Sequence, residues 1–273
     1  IYLVISAVFI GCTPILSIDA STQSVYHFSD TDKNISLLDI SETFGTYDGS
    51  FVLYDNNLDS WKIYDLEEAT KRIPPESTYK IYDALLGLES GIITPEHSSM
   101  TWNGDAFPFP SWEADQDLNS AMQNSVNWYF QAIDSQLGIN RVQEFLNKIE
   151  YGNQTTSSNL DLYWSDFSLK ISPLEQVTLL KKFNTNEFHL NSQNVFSVKN
   201  AIKIASTPNG NFYGKTGTGR VNGQDINGWF IGYVETSDNS YYFATNIQSD
   251  SNATGKKAFE ITSDILKKLH IWN

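Results

Sequence analysis

Cysteine is almost absent from the sequence: Cys12 is the only one in 273 residues, so no intrachain disulfide can form. Basic residues are also few, with 18 Lys and Arg against 32 Asp and Glu, which gives a net charge of −14. Such a surface repels nucleic-acid phosphates, so we expect no nucleic acid as a partner. The four histidines are scattered without ligand spacing, which predicts neither a metal site nor a His-based triad.

An uncharged and mostly apolar segment opens the chain at residues 1–18, about the minimum length for a membrane span. We predict that this segment lies in or across a membrane. Three origins remain open: the end of a transmembrane helix of a longer protein, a secretory signal without its basic start, or a lipoprotein signal with Cys12 as acceptor. Residues 19–46 are polar and rich in Ser, Asp and Thr, which indicates a tether to a folded domain at 47–273.

The folded part has ample apolar content for a packed core, since the chain is 40% hydrophobic and 14% aromatic. Strand patterns occur near both ends, and helical periodicity dominates between them. The predicted strands cover 49–54, 61–65, 211–218, 228–236 and 240–248, and the predicted helices cover 76–90, 118–137, 140–148, 173–183 and 254–269. This order favours an α+β fold with a central antiparallel sheet of about five strands flanked by helices. We also predict an all-helical subdomain from about residue 94 to 199.

A serine and a lysine stand one helical turn apart at the start of the first predicted helix. A serine hydroxyl is a poor nucleophile until a base lies within hydrogen-bond reach, and Lys80 follows Ser77 by three residues. Lys80 can act as a base only when it is neutral or chemically modified, and apolar surroundings would lower its pKa. Ser77 is therefore the candidate nucleophile and Lys80 its candidate base.

Two further motifs follow in order along the chain. Residues 125–127 (Ser-Val-Asn) lie in a predicted helical stretch, and residues 215–217 (Lys-Thr-Gly) lie in a predicted strand, where glycine lets a ligand lie against the backbone. The patterns S-x-x-K, S-x-N and K-T-G in this order form the signature set of penicillin-recognising serine enzymes. The ordered set, rather than any single motif, predicts an active site at Ser77.

From about residue 49 to 270 the chain resembles the class D (OXA-type) serine β-lactamases and, more closely, the extracellular sensor domains of the BlaR/MecR receptors. Besides the three motifs, the resemblance is carried by Tyr151-Gly152-Asn153, by Tyr163-Trp164 leading into residues 169–177, and by residues 228–235. It implies the β-lactamase/transpeptidase-like fold, with Ser77 in the cleft between the sheet and the helical subdomain.

The resemblance implies catalytic roles for four residues. Ser77 would attack the lactam carbonyl while Lys80, carrying a carbamate formed from carbon dioxide, takes its proton. Trp164 would hydrogen-bond that carbamate, and Ser125 would relay a proton toward the lactam nitrogen. No cofactor and no metal are implied apart from the carbon dioxide of the carbamate.

The resemblance also implies a substrate-binding set, which consists of Asn127 and residues 215–218. Lys215 and Thr216 would hold the carboxylate of the drug, and Gly217 lies between them and the oxyanion hole. The backbone N–H groups of Ser77 and Thr218 would form that oxyanion hole.

The sequence departs from the class D pattern in two places. Class D hydrolases usually have a hydrophobic residue, commonly valine, at the position of Asn127, and we expect the asparagine to weaken base function after acylation. Many also have an arginine after the last strand, whereas the run 248–256 contains none. Carboxylate recognition would then rely on residues 215–218, helped by Lys256.

These features favour an extracellular β-lactam sensor on the outer side of a bacterial cell membrane. Residues 1–18 would be the last transmembrane helix of a longer protein, whose remaining part would hold a zinc-protease domain that passes the signal inward. The main alternative is a secreted or lipid-anchored class D β-lactamase, which rapid turnover of a penicillin would identify. A peptidoglycan transpeptidase or a non-catalytic binding module on the same fold is a third interpretation.

Overall fold

The computed structural model describes residues 34–272 and has, in that range, seven strands and nine α-helices. The strands are β1 (Ile35–Leu37), β2 (Asp48–Asp55), β3 (Ser60–Tyr64), β4 (Lys203–Thr207), β5 (Gly210–Val221), β6 (Gln224–Glu235) and β7 (Ser240–Gln248). The helices are α1 (Ser41–Phe44), α2 (Leu66–Thr70), α3 (Lys80–Glu89), α4 (Leu118–Gln123), α5 (Asn127–Leu137), α6 (Ile139–Ile149), α7 (Pro173–Asn184), α8 (Ser192–Ala201) and α9 (Gly255–Lys268). Two 3₁₀-helices, Glu76–Tyr79 and Pro110–Trp112, complete the set in this range.

The strands form one sheet in the order β1-β3-β2-β7-β6-β5-β4. The first hairpin, β2 and β3, joins the C-terminal strands because β2 pairs antiparallel with β7, from Asp48 opposite Gln248 to Asp55 opposite Tyr241. The predicted α+β fold, with a sheet completed by both ends of the domain, is confirmed. The sheet is mixed, however, because β1 runs parallel to β3.

The folded domain begins before residue 47, which corrects the predicted boundary of the tether at 19–46. Strand β1 and helix α1 both lie inside that segment. The prediction missed these elements because the segment is polar overall and contains few buried apolar residues. Ile35 packs against the main core, and Phe44 is buried on the other side of the sheet. The predicted membrane segment at 1–18, with Cys12, lies outside the described residues. Between residues 34 and 272, no helix has the length and apolar composition to cross a membrane.

Helices cover both faces of the sheet. Buried side chains of β2, β6 and β7 pack with α3, α5, α6 and α7 in a large core that includes Val52, Ile231 and Tyr242. The opposite face carries a smaller core, in which Phe230 and Phe243 pack against α9. The alternation of side chains along each strand divides the apolar residues between these two layers.

The predicted helix at 118–137 is in fact two helices, because α4 ends at Gln123 and α5 begins at Asn127. Ser125 therefore lies in a turn and not within a helix, and its backbone has a left-handed φ of 56°. Apolar periodicity did not reveal the break because α4 and α5 bury side chains in the same core, where Val126 bridges them. In the predicted helical subdomain, α7 packs against β2 and β7 of the sheet, and α8 was not predicted.

Candidate active site

The nucleophile candidate stands on a pinned turn at the edge of the sheet. Ser77 lies in the 3₁₀-helix Glu76–Tyr79, which runs directly into α3. Strand β6 holds the chain just before this 3₁₀-helix. Asn227 Nδ2 and Trp229 Nε1 both donate to the backbone carbonyl oxygen of Pro74, at 3.1 and 2.8 Å. These buried hydrogen bonds fix where the hydroxyl of Ser77 meets the sheet.

Lys80 lies beneath Ser77 and contacts it directly. Its Nζ donates to Ser77 Oγ at 2.9 Å and to Asn127 Oδ1 at 2.8 Å, and the side chain is only 1% exposed. Burial lowers the pKa of Lys80 to about 8, although nearby acidic side chains oppose this shift. A fraction of Lys80 is therefore neutral near pH 7 and can accept the proton of the Ser77 hydroxyl.

A second serine–lysine pair faces the first across the cleft. Lys215, on β5, donates from Nζ to Ser125 Oγ at 2.8 Å and to the carbonyl oxygen of Thr216 at 2.9 Å. Burial, followed by the positive charge of Lys80, holds the pKa of Lys215 well below its usual value. Ser125 lies in a left-handed turn between α4 and α5, and this backbone conformation directs its hydroxyl toward β5.

The two serines of these pairs line one cleft of about 340 Å³, and their two lysines are buried beside them. Its polar wall includes Ser77, Ser125, Asn127, Thr216, Gly217 and Thr218, and Phe109 and Trp112 contribute an aromatic wall. This volume is in the range of small-molecule sites. The structure therefore gathers the S-x-x-K, S-x-N and K-T-G motifs around a single space that a small ligand can enter.

Strand β5 approaches the nucleophile closely at Gly217. A Cβ at this position would lie 3.1 Å from the carbonyl oxygen of Pro75 and 3.2 Å from the backbone nitrogen of Ser77, so a larger residue would push the strand away. The neighbouring Thr218 is held from behind, because its Oγ1 accepts a hydrogen bond from the backbone N–H of Gly255 at the start of α9. The backbone groups of Ser77 and of this part of β5 consequently lie side by side, as an oxyanion hole requires.

Aromatic rings cover the lysine on its inner side. Lys80 Nζ lies 5.4 Å from the ring centre of Trp164 and 5.6 Å from that of Phe130. Trp164 is 2% exposed and stacks on Tyr79, so it forms part of the core as well as a wall of the lysine pocket. Its predicted hydrogen bond to a carbamate stays a prediction.

Sequence reasoning missed an ion pair in the cleft. Arg220, on β5, donates from Nε to Asp225 Oδ1 at 2.7 Å, and both side chains line the cleft. Simple alternation along β5 would not have found Arg220, because the strand register shifts between Gly219 and Arg220. Lys256, the predicted helper in carboxylate binding, does not line the cleft.

Sequence reasoning also missed the acidic groups around Lys80. Glu76, Asp83 and Asp134 are all buried near the lysine. Glu76 and Asp83 flank Lys80 in its own helical segment, and the packing of α3 against α5 brings Asp134 close to them. The sequence motifs do not include any of the three. Among residues 34–272, no group of three or more His, Cys, Asp or Glu side chains is arranged to hold a metal ion.

Residues 45–267 match the family model described as the penicillin binding protein transpeptidase domain. The chain is 45% identical over 272 residues to the regulatory protein BlaR1 of Bacillus licheniformis, a match that covers 99% of this chain and 45% of the relative. The chain thus spans about half the length of this relative.

Solved structures give the same result for the described domain. The C-terminal domain of the Bacillus licheniformis BlaR penicillin-receptor superposes with a TM-score of 0.85 and 46% identity, over 88% of this chain and 98% of the other. A class D β-lactamase from Bacillus subtilis superposes with a TM-score of 0.81 and 36% identity, over 86% and 97% of the two chains. The chain therefore belongs to the penicillin binding protein transpeptidase-domain family and, within it, groups with the C-terminal domains of BlaR-type penicillin receptors and the class D β-lactamases.

Proposed function

We propose that this chain contains an extracellular β-lactam sensor domain, in which penicillins and cephalosporins acylate Ser77 and the lasting adduct signals induction of antibiotic resistance. The observation that carries the proposal is the double hydrogen bond of Lys80, to Ser77 Oγ and to Asn127 Oδ1. The first contact serves acylation and the second opposes release of the acyl group.

Acylation uses the two serine–lysine pairs in turn. Ser77 Oγ attacks the carbonyl carbon of the lactam while its proton passes to neutral Lys80. As the lactam C–N bond breaks, the nitrogen takes a proton through Ser125, which Lys215 holds in place. The carboxylate of the drug would favour the ammonium form of Lys215, whose pKa is otherwise lowered by burial, and Arg220 lines the cleft nearby.

Deacylation needs a base for the attacking water. The side-chain amide oxygen of Asn127, Oδ1, accepts a hydrogen bond from Lys80 Nζ. This contact favours the ammonium form of Lys80, which cannot take a proton. Asn127 also shields a carbamate on Lys80 Nζ from water less well than the valine common in class D hydrolases would. Both effects lengthen the life of the acyl group, as a receptor requires.

The second candidate function is hydrolysis of β-lactams. It is favoured by the similarity to the class D structure over 86% of the chain and by the complete nucleophile and base pair. A peptidoglycan transpeptidase is the third candidate, supported only by the description of the family model. Sensor and hydrolase share the acylation step and differ in how fast water releases the product.

The cellular setting follows from the receptor proposal. Residues 1–18 would be the last transmembrane helix of a longer protein, with the described domain on the outer side of a bacterial cell membrane. The match covers 45% of BlaR1, and in a receptor of that length the zinc-protease domain that passes the signal inward would lie in the part that this chain does not match. An upstream reading frame that encodes further membrane spans would support this arrangement, and a start codon immediately before a short signal segment would contradict it.

The test is intact-mass spectrometry of the detergent-solubilised chain over a time course with benzylpenicillin. A sensor gives an adduct that persists for many minutes and is lost in Ser77→Ala. A hydrolase gives a short-lived adduct with catalytic consumption of the drug. No adduct at all would refute both functions, and labelling that survives in Ser77→Ala would refute the assignment of the nucleophile.

A further inference from the structure

Two carboxyl groups lie buried beneath Lys80, on the side away from the cleft. Asp83 stands on α3, three residues after Lys80, and Asp134 stands on α5. Both side chains are 0% exposed. Neither residue lines the cleft, so neither touches a substrate held there, and the acylation scheme above does not use them.

The two carboxyl groups have almost no partners except each other. Tyr163 donates its hydroxyl proton to Asp134 Oδ1 at 3.3 Å. Asp134 Oδ2 and both oxygens of Asp83 find no hydrogen-bond donor among residues 34–272 when both groups are ionised. Two buried carboxylates side by side cannot both remain charged, and a single proton on Asp134 Oδ2 gives one oxygen of Asp83 a donor.

The charges around the pair determine where that proton lies. Burial raises the pKa of both carboxyl groups, and the positive charge of Lys80 opposes this rise at Asp83. The hydrogen bond between the groups acts in opposite senses, lowering the pKa of Asp83 and raising that of Asp134. Asp134 therefore keeps the proton and donates it. Asp83, whose pKa burial raises to about 8, is the group of the pair that ionises next to Lys80.

The remaining titratable groups around Lys80 contribute less negative charge. Glu76, in the turn that carries Ser77, also has its pKa raised by burial to about 8, and its effect on Lys80 is smaller than that of Asp83. Lys215 faces Lys80 from β5 and adds positive charge, although burial lowers its pKa. Among the acidic neighbours, Asp83 has the largest electrostatic effect on Lys80.

We propose that Asp83 and Asp134 share one proton and together hold one negative charge beneath Lys80, which stabilises its ammonium form and opposes a carbamate on its nitrogen. The ammonium group first loses one proton, and the neutral amine then adds carbon dioxide at nitrogen and loses a second, so carbamate formation turns a cation beside this charge into an anion beside it. The pair is a positioning element that acts on the proposed sensor through Lys80. This inference rests on the proposed function and adds a second cause for the long life of the acyl group.

The test compares variants that differ in the buried charge. Asp83→Asn/Asp134→Asn removes the charge, whereas Asp134→Asn alone keeps it on Asp83 and still offers a donor. Asp264→Asn, on the exposed side of α9, is the matched control because it removes one carboxylate from the other face of the sheet. The readouts are the pH dependence of acylation by a chromogenic cephalosporin and the ¹³C NMR signal of a lysine carbamate in ¹³C-bicarbonate.

Loss of the charge should shift the acid limb of the acylation profile down by about one pH unit, since a unit charge within a few ångströms perturbs a buried pKa by at least that much. The carbamate signal should then form at lower bicarbonate concentration. Asp134→Asn and Asp264→Asn should keep the wild-type profile. A double variant that forms the Ser77 adduct but leaves both readouts unchanged overturns the proposal.

A measurement without the double variant keeps the proposal testable if that variant does not fold. Infrared difference spectroscopy of the wild type against Asp134→Asn should show the loss of one C=O band of a buried protonated carboxylic acid at neutral pH, while the band of buried Glu76 remains in both proteins. A difference spectrum without such a lost band overturns the shared proton. Failure of the proposed function would look different, because it concerns the adduct lifetime, whereas the carbamate and infrared signals can be read without any acylation.

Discussion

Replacing Asn127 by valine should shorten the life of the penicillin adduct. The substitution removes the oxygen that accepts a hydrogen bond from Lys80 Nζ at 2.8 Å and puts a branched apolar side chain in its place. Valine cannot accept this hydrogen bond, so the ammonium form of Lys80 loses a stabilising contact. The neutral form, which can activate water, becomes more populated.

The size of the effect follows from the energy of that contact. A hydrogen bond to a charged group contributes about 1.5–3 kcal/mol, and about 1.4 kcal/mol corresponds to one pKa unit, so the pKa should fall by about one to two units. Starting from a pKa of about 8, the neutral fraction at pH 7 would rise from about a tenth to roughly half or more. Deacylation should therefore accelerate about five- to tenfold at pH 7.

Intact-mass spectrometry measures this directly. Benzylpenicillin is added in excess, free drug is removed, and the fraction of acylated chain is followed with time at pH 7 and at pH 9. The difference between wild type and Asn127→Val should shrink at pH 9, because Lys80 is then mostly neutral in both proteins.

Asn124→Val is the matched control, since Asn124 lines the same cleft but bonds to the carbonyl oxygen of Ser120 and not to Lys80. An adduct lifetime in Asn127→Val that stays within a factor of two of wild type at pH 7, with acylation intact, would refute the reasoning. An equal acceleration in Asn124→Val would show that the cleft as a whole, and not the contact with Lys80, controls the lifetime.

Three further predictions concern the described domain. Lys215→Ala should slow acylation by about ten- to a hundredfold through loss of a charge-assisted contact, and a penicillin methyl ester, which lacks the carboxylate, should show a smaller loss in the same mass assay. The acylation rate should rise about tenfold per pH unit below pH 8 and level off above it, since Lys80 must lose its proton before it can accept one, and a flat stopped-flow profile from pH 6 to 8 would contradict this. Gly152→Ala should lower the unfolding temperature far more than Gly91→Ala. Both glycines have a positive φ, but only a Cβ at Gly152 would overlap the backbone of Lys170. Equal shifts of the two unfolding temperatures in calorimetry would argue against this explanation.

Short motifs predicted the reacting groups because they encode local geometry. The spacing of Ser77 and Lys80 brings the two side chains to one side of a helical turn in any protein, and here Nζ and Oγ lie 2.9 Å apart. The sheet was also predictable, since the apolar alternation of β2, β6 and β7 depends only on burial of the strand faces. Strand β1 escaped because it has three residues and only one inward anchor, too few for a pattern.

Other features of the site depend on contacts between distant segments. The break at Ser125 was missed because both flanking helices bury apolar side chains in the same core, so the periodicity continues across the turn. The pairing of Ser125 with Lys215 joins residues 90 positions apart. The carboxyl pair of Asp83 and Asp134 was invisible because each residue looks like an ordinary polar position on its own helix.

The sequence alone determined the class of fold, the order of the three motifs and the identity of the candidate nucleophile, because each of these depends on local spacing or on the period of apolar residues. The tertiary structure decided the protonation of Lys80, the orientation of Ser125 and the presence of Arg220 in the cleft. These properties arise from burial and from charges that only packing brings together. Burial of Lys80 lowers its pKa to about 8, although the acidic side chains beside it oppose this shift.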